Sequence, residues 1–203
     1  MFRLFYFIST IFISFYTPPN GNGVFWYSYD VGLVHTIMLS SEHSFEKTSR
    51  QYKWLEDDLK KVDRDVTPWV IVESHRPMYM SEYQVYNMKV QIAMRDEFED
   101  LLVEHNVDLF LAGHFHSYLR TCSGLYRYKC NNGGPTHITV GTAGAKLDNG
   151  HLINRLWTES FMEQWGYGKI TVYNSTVIHW SFISSDGEDV GETLDELWIK
   201  KEG

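Results

Sequence analysis

Two short segments constrain this chain more than anything else in it: Trp69-Val-Ile-Val-Glu-Ser-His75 and Leu109-Phe-Leu-Ala-Gly-His114-Phe-His116. Each is an apolar run of strand length that stops abruptly at histidine. The stretch between them reads as helix, with Val90, Met94, Phe98, Leu101 and Leu102 at helical spacing and an end near His105-Asn106. A strand, a crossover helix and a second strand make a right-handed parallel unit. Loops at the carboxyl ends of such strands are where open α/β sheets hold ligands. The sequence therefore predicts an α/β fold that gathers His75, His114 and His116 at one sheet edge, and convergent imidazoles are metal-binding chemistry. Two positions apart, His114 and His116 have Cα atoms separated by at most about 7 Å. Paired catalytic metals sit about 3.5–4 Å apart, so an H-x-H turn can offer one ring to each ion. Gly113 is the residue expected to let that turn be sharp.

The remaining elements follow from pattern. Val24 to Tyr29 and Val34 to Ser40 favour strands, with Asp30 to Gly32 as the turn. Thr48-Ser-Arg-Gln51 matches a capping box with Thr48 as N-cap, and Tyr52, Leu55, Leu59 and Val62 form the apolar face of the helix it opens. The Val107 to Ala112 run is apolar except for Asp108, as expected of a strand covered on both faces. Beyond the cysteines the residues alternate in short strands at His137 to Val140, Gly168 to Tyr173 and Val177 to Ile183, and Asn174-Ser-Thr176 closes a hairpin. The organisation expected is a hydrophobic segment over 1–19, an α/β unit over 20–130 and a β-rich segment over 131–200.

A formal charge of −8 excludes a nucleic-acid binder, because no basic stripe is present to meet a phosphate backbone. An anionic substrate would need a local positive partner, and bound metal is the economical one. Cys122 and Cys130 enclose a short loop containing Gly124, a spacing that suits a disulfide in an oxidising compartment; two reduced thiols are the alternative. Asn174 begins the single N-glycosylation sequon. The run from Met1 to Tyr16 carries one charge and is too short for a transmembrane helix of about 20 residues. It reads either as a signal-peptide core, without small residues at a cleavage position, or as a non-native flank. His35 and His179 read as satisfied or solvent-facing strand residues, and His43, His105, His137 and His151 as surface turn residues. No spacing requires Glu42 or Asp108 to be a ligand.

Six segments carry a family resemblance: Asn22-Gly-Val-Phe-Trp-Tyr-Ser-Tyr-Asp30, Gln51-Tyr-Lys-Trp-Leu55, Thr67-Pro-Trp-Val-Ile-Val72, His75-Arg-Pro-Met-Tyr79, Gly113-His-Phe-His-Ser-Tyr118 and Thr139-Val-Gly-Thr-Ala-Gly144. From about residue 20 to 200 the chain resembles the carboxyl-terminal half of a purple acid phosphatase, within the calcineurin-like metallophosphoesterases. The resemblance implies a partial metallophosphoesterase sandwich, a parallel and mixed sheet with flanking helices, followed by the family's carboxyl-terminal segment. It implies a centre of Fe(III) and a divalent Zn, Mn or Fe, whose bound hydroxide attacks small phosphomonoesters. His75 and His114 would bind the divalent ion and His116 the ferric one. A disulfide between Cys122 and Cys130 and the signal-like start point to a secreted or vacuolar (lysosomal) product.

Departures from the family pattern are concrete. Members carry upstream Asp-x-Gly, Gly-Asp-x-x-Tyr and Gly-Asn-His-Glu elements. Here no Gly-Asp dipeptide occurs, and Gly21-Asn22 is followed by Gly23. Four of the family's seven ligands thus have no counterpart in this sequence; Ser74 replaces a glycine and Leu119 a glutamate. The sequence therefore reads as a truncated acid phosphatase, with a non-catalytic binding or structural module and a related metallophosphodiesterase as the alternatives.

Overall fold

The computed structural model describes residues 2–6, 20–82, 85–148, 153 and 155–201. The two readings of residues 1–19 fall largely outside them, as does His151. The elements in chain order are β1 (Phe2–Tyr6), β2 (Tyr27–Val31), β3 (Val34–Leu39), α1 (Arg50–Leu59), β4 (Trp69–Ser74), α2 (Val85–Glu104), β5 (Leu109–Ala112), β6 (Tyr118–Thr121), β7 (Thr136–Val140), β8 (Thr158–Met162), β9 (Gly166–Val172), β10 (Val177–Ser184) and β11 (Thr193–Lys200). The main sheet runs β2-β3-β4-β5-β7-β6-β8, and a second sheet runs β1-β9-β10-β11. In the main sheet β3, β4, β5 and β7 are parallel, while the second sheet is antiparallel throughout.

The central strands are buried on both faces, which is why their sequences are continuous apolar runs rather than alternating ones. On one face Val70, Val72, Phe110 and Ala112 pack with Leu55 and Leu59 of α1 and Met94, Phe98 and Leu102 of α2. On the other, Trp69, Ile71, Leu109 and Leu111 pack with Ile170, Val172, Trp180 and Phe182 of the second sheet. The result is a two-sheet sandwich with helices on the outer face of the main sheet, the α/β fold that the sequence predicts. Strand β7 inserts between β5 and β6, so the β-rich stretch beyond residue 131 is woven into the main sheet. Gly168 permits the closest approach in the second sheet: a Cβ there would fall 2.0 Å from the Trp180 ring.

Three details differ from expectation. The N-cap of α1 is Ser49, not Thr48: its hydroxyl accepts from the backbone N–H of Tyr52 at 3.1 Å. Gln51 does not reach back to a cap. Its fully buried amide instead accepts from the N–H of Ser40 at 2.7 Å and donates to the Ser40 carbonyl at 3.0 Å, extending β3 by one pseudo-pair. His137 is no surface residue; it lies on β7 at 3% exposure, because β7 is a central strand. His35 and His179 behave as read, held by Asp30 with Asp58 and by Glu196 respectively. Cys122 and Cys130 are disulfide-bonded, with Cα atoms 5.7 Å apart.

Candidate functional site

Strands β4 and β5 are adjacent and parallel, with Ser74 opposite Ala112, so the segments that follow them leave the sheet side by side. The N–H of Gly113 donates to the His75 carbonyl at 3.1 Å and continues the ladder past the strand ends. The sharp turn then falls on His114, whose φ is 67°, rather than on Gly113. A non-glycine residue in that left-handed region costs free energy of about 1 kcal/mol or more and is typical of functional sites. The loop after β7 holds the turn in place: Gly141 donates to the Ser117 carbonyl at 3.2 Å, and a Cβ on Gly141 would lie 1.7 Å from the Phe115 carbonyl oxygen.

This arrangement brings two of the three histidines into contact. Nδ1 of His114 is 3.1 Å from Nε2 of His75, and the rings meet edge to face with centroids 4.9 Å apart. Arg76, the residue after His75, places NH1 3.2 Å from Nε2 of His114. A guanidinium only donates, so Nε2 of His114 accepts, its Nδ1 carries the proton, and that N–H is given to Nε2 of His75. The three residues form a directed relay. Burial, then the Arg76 charge and His75, lower the His114 pKa to about 4; burial also lowers that of His75, chiefly opposed by Glu42. Both rings are therefore neutral at ordinary pH, the form in which imidazole binds metals.

His116 sits on the same turn but is engaged elsewhere. Its Nδ1 is 2.8 Å from the Lys146 carbonyl oxygen, and its backbone N–H donates to Asp148 at 2.8 Å. A carbonyl only accepts, so Nδ1 bears a proton, and in the neutral ring this leaves Nε2 with the lone pair, the orientation that a backbone carbonyl imposes on ligating histidines. Among the described residues, no three His, Cys, Asp or Glu side chains converge as a metal-holding group. Ser117 donates to buried Glu82, whose pKa burial raises.

Glu42, which no spacing required as a ligand, takes a bidentate pair from Arg76, at 2.6 Å and 3.3 Å. Sequence reasoning passed over Arg76 and Asp148. Adjacency to a strand-end histidine could have flagged Arg76; nothing local marks Asp148, which approaches from 32 residues away.

Residues 2–118 match the calcineurin-like phosphoesterase family, and residues 134–196 match the iron/zinc purple acid phosphatase-like protein C family. The chain is 37% identical over 180 residues to probable purple acid phosphatase 20 of Arabidopsis thaliana, a match covering 86% of this chain and 41% of that protein. It is 32% identical over 212 residues to human (Homo sapiens) acid phosphatase type 7, covering 91% of this chain and 48% of the relative. Among solved structures, the purple acid phosphatase PPD1 from yellow lupin (Lupinus luteus) seeds superposes with a TM-score of 0.77 at 27% identity, covering 86% of this chain and 32% of the other. The chain thus spans less than half the length of each of these proteins.

Proposed function

We infer the function from one premise: this chain belongs to the calcineurin-like phosphoesterases and carries the carboxyl-terminal segment of the purple acid phosphatases. We propose that it is the histidine-bearing part of an acid phosphatase, a hydrolase of small phosphomonoesters. The observation that carries this reading is the placement of His75 and His114, neutral and 3.1 Å apart, at the carboxyl edge of parallel β4 and β5. His116 supports it, with its ring already oriented by the Lys146 carbonyl.

The family pairs a ferric with a divalent ion, and the described residues do not fit such a pair by themselves. Among the described residues no three His, Cys, Asp or Glu side chains form a metal-holding group, Asp148 is engaged by His116, and Fe(III), a hard ion, prefers oxygen ligands. We therefore assign this chain the imidazole side of the centre alone and derive no hydrolytic step through the metals. A second reading, a non-catalytic module, is favoured by Arg76, which occupies Nε2 of His114.

A secreted or vacuolar (lysosomal) location fits the Cys122–Cys130 disulfide, and Asn174, exposed where β9 turns into β10, is accessible for glycosylation. Among the described residues no helix is long and apolar enough to cross a membrane. The test is complementation. Joining the chain to the upstream segment of a relative should give a protein with two metals per molecule that hydrolyses p-nitrophenyl phosphate at acid pH, and His114→Ala should abolish turnover. A fusion that folds and loads metal but stays inactive would favour the module.

A further inference from the structure

Four Asn-Gly dipeptides occur in the chain: Asn20-Gly21, Asn22-Gly23, Asn132-Gly133 and Asn149-Gly150, the last outside the described residues. The other three are held very differently. Asn20 is clamped through its side chain: its Oδ1 accepts from the Ser28 N–H at 3.0 Å, and its Nδ2 lies 3.2 Å from the Ser28 carbonyl oxygen and 3.1 Å from the Ser28 hydroxyl. Asn22 is clamped through its backbone. Its N–H donates to the Trp26 carbonyl at 2.8 Å and its carbonyl accepts from the Phe25 N–H at 3.1 Å, which fixes the peptide unit leading to Gly23. Asn132 lies exposed in the loop between β6 and β7, just past Cys130. Its side-chain bond is long, from Nδ2 to the Tyr126 carbonyl at 3.4 Å. Among the described residues, neither the Asn132 carbonyl nor the Gly133 N–H has a hydrogen-bond partner. Gly133 has a φ of 83°, and nothing would lie within 4 Å of a Cβ there. The peptide unit joining Asn132 to Gly133 is therefore free to turn.

We propose that Asn132 is a site of self-modification, converting to aspartate and isoaspartate in the folded protein ahead of Asn20 and Asn22, and that the isoaspartyl form loosens the disulfide loop. The Gly133 backbone nitrogen attacks Cγ of the Asn132 side chain, unshielded because glycine has no Cβ. The new N–Cγ bond closes a succinimide ring, the Cγ–Nδ2 bond breaks, and the attacking nitrogen's proton leaves with Nδ2 as ammonia. Water then opens the ring. Addition at Cγ yields aspartate; addition at the main-chain carbonyl carbon yields isoaspartate, whose main chain runs through Cβ and Cγ. Water enters, ammonia leaves, and the loop gains a negative charge. The isoaspartyl product also lengthens the main chain by an atom at a place with no slack. On one side the Asn132 N–H donates to the Gly124 carbonyl at 2.7 Å; on the other, Gly134 packs so closely that a Cβ there would sit 1.9 Å from the Leu125 carbonyl oxygen. Loop 122–134 absorbs the extra atom only by giving up one of these contacts. The same loop lays Tyr128 on the buried Arg95, whose guanidinium carbon is 4.5 Å from the ring centroid, so that contact loosens with it.

The test is ageing of the native 203-residue chain in mildly alkaline buffer, read by peptide mapping with mass spectrometry. The urea-unfolded, disulfide-reduced chain is the reference in which the fold no longer separates the sites. In the native chain Asn132 should convert at least about tenfold faster than Asn20, whose three hydrogen bonds must open before it reacts. It should also outpace Asn22, and unfolding should bring the three rates together. Asn132→Gln should remove the fast conversion, because the longer side chain closes its ring far more slowly. Aged protein rich in isoaspartate should exchange amide hydrogens faster across residues 122–134 than fresh protein. Asn132→Asp adds the charge but no main-chain atom and should stay close to the wild type. Equal native rates at the three sites, or an order led by Asn20 or Asn22, overturn the assignment of Asn132. Unchanged hydrogen exchange in protein shown to carry isoaspartate at 132 overturns the effect on the loop.

Discussion

The ring of His137 lies 4.7 Å, centroid to centroid, from that of Tyr79, and neither ring nitrogen has a hydrogen-bond partner among the described residues. Burial, with the Arg95 charge adding to it, lowers its pKa to about 3. In the unfolded chain the group titrates near its ordinary value of about 6.5, so between about pH 6.5 and 3 the unfolded state binds the extra proton. Stability conferred by the neutral ring is fully present above about pH 6.5 and drains away as pH falls toward 3, by up to on the order of 4 kcal/mol. Denaturant titrations at a series of pH values should show a shallower acid loss in His137→Phe than in the wild type. Equal slopes would mean the ring is hydrated or bonded in solution.

Asp108 ties the two sheets together at the edge opposite the histidines. Its carboxylate accepts from the Val70 N–H at 2.8 Å, from Arg64 at 3.3 Å and from Lys201, just past β11, at 2.8 Å. Lys201 also lies over the Trp69 ring, 4.2 Å from its centroid. Asp108→Ala would leave a buried N–H unpaired and two partly exposed cations without their counter-charge, and should cost about 2 kcal/mol. Thermal denaturation of the variant measures this directly, and a loss below a few tenths of a kcal/mol would assign the clasp no energetic role.

How far the sequence could be read depended on whether local chemistry or a distant partner decides each position. The runs ending at His75 and His114 were legible because a strand buried on both faces needs consecutive apolar residues, and their pairing followed from one crossover helix. His137 was misread for the same reason in reverse. On β7 every residue is buried, yet His137-Ile-Thr-Val140 alternates polar with apolar residues, which is the pattern of a strand with one face in water. Strand β11 hid behind the opposite pattern, since Thr193-Leu-Asp-Glu-Leu-Trp-Ile-Lys200 is an edge strand dominated by exposed polar groups. Thr48 and Ser49 are chemically equivalent caps, and only the backbone decides between them. The hold of Lys146 and Asp148 on His116 depends on a loop some 30 residues away, which no spacing rule reaches.

Gly141 is a steric requirement of the histidine turn. A Cβ at this position would sit 1.7 Å from the Phe115 carbonyl oxygen, which is backbone and cannot rotate aside. Gly141→Ala should therefore destabilise the chain by about 3 kcal/mol and displace the His114–His116 turn. Amide hydrogen exchange should rise across residues 113–118 first. An unperturbed variant would show that the loop after β7 does not pack on the turn in solution.

The Cys122–Cys130 bond closes a loop in which Arg127 and Tyr128 both have positive φ, at 48° and 64°. Tyr128 lies against Arg95, whose guanidinium carbon is 4.5 Å from the ring centroid, and Arg95 donates to the Met78 carbonyl at 3.1 Å. Chain entropy assigns a loop this short roughly 2.5 kcal/mol of stabilisation. Cys122→Ser with Cys130→Ser should lose about that much in equilibrium unfolding. Free alkylation of both thiols in protein from its native compartment would rule out a structural role for the bond.

The metal content of the chain itself follows from its donors. The imidazoles of His75 and His114 suit one borderline divalent ion, but among the described residues no carboxylate joins them in a metal-holding group, and Fe(III) would have only His116 of its expected ligands. Without a bridged pair there is nothing to hold a hydroxide beside a neutralised phosphoryl group, which is where two-metal sites obtain most of their rate. We expect the 203-residue chain to bind at most about one Zn2+ per molecule, to show no visible absorption band with iron, and to hydrolyse p-nitrophenyl phosphate no faster than its His114→Ala variant. Metal analysis after dialysis and a phosphatase assay at acid pH decide the matter. Two bound ions with metal-dependent turnover in the chain alone would show that residues outside the described ones complete the centre, and would return the catalytic role to this chain in full.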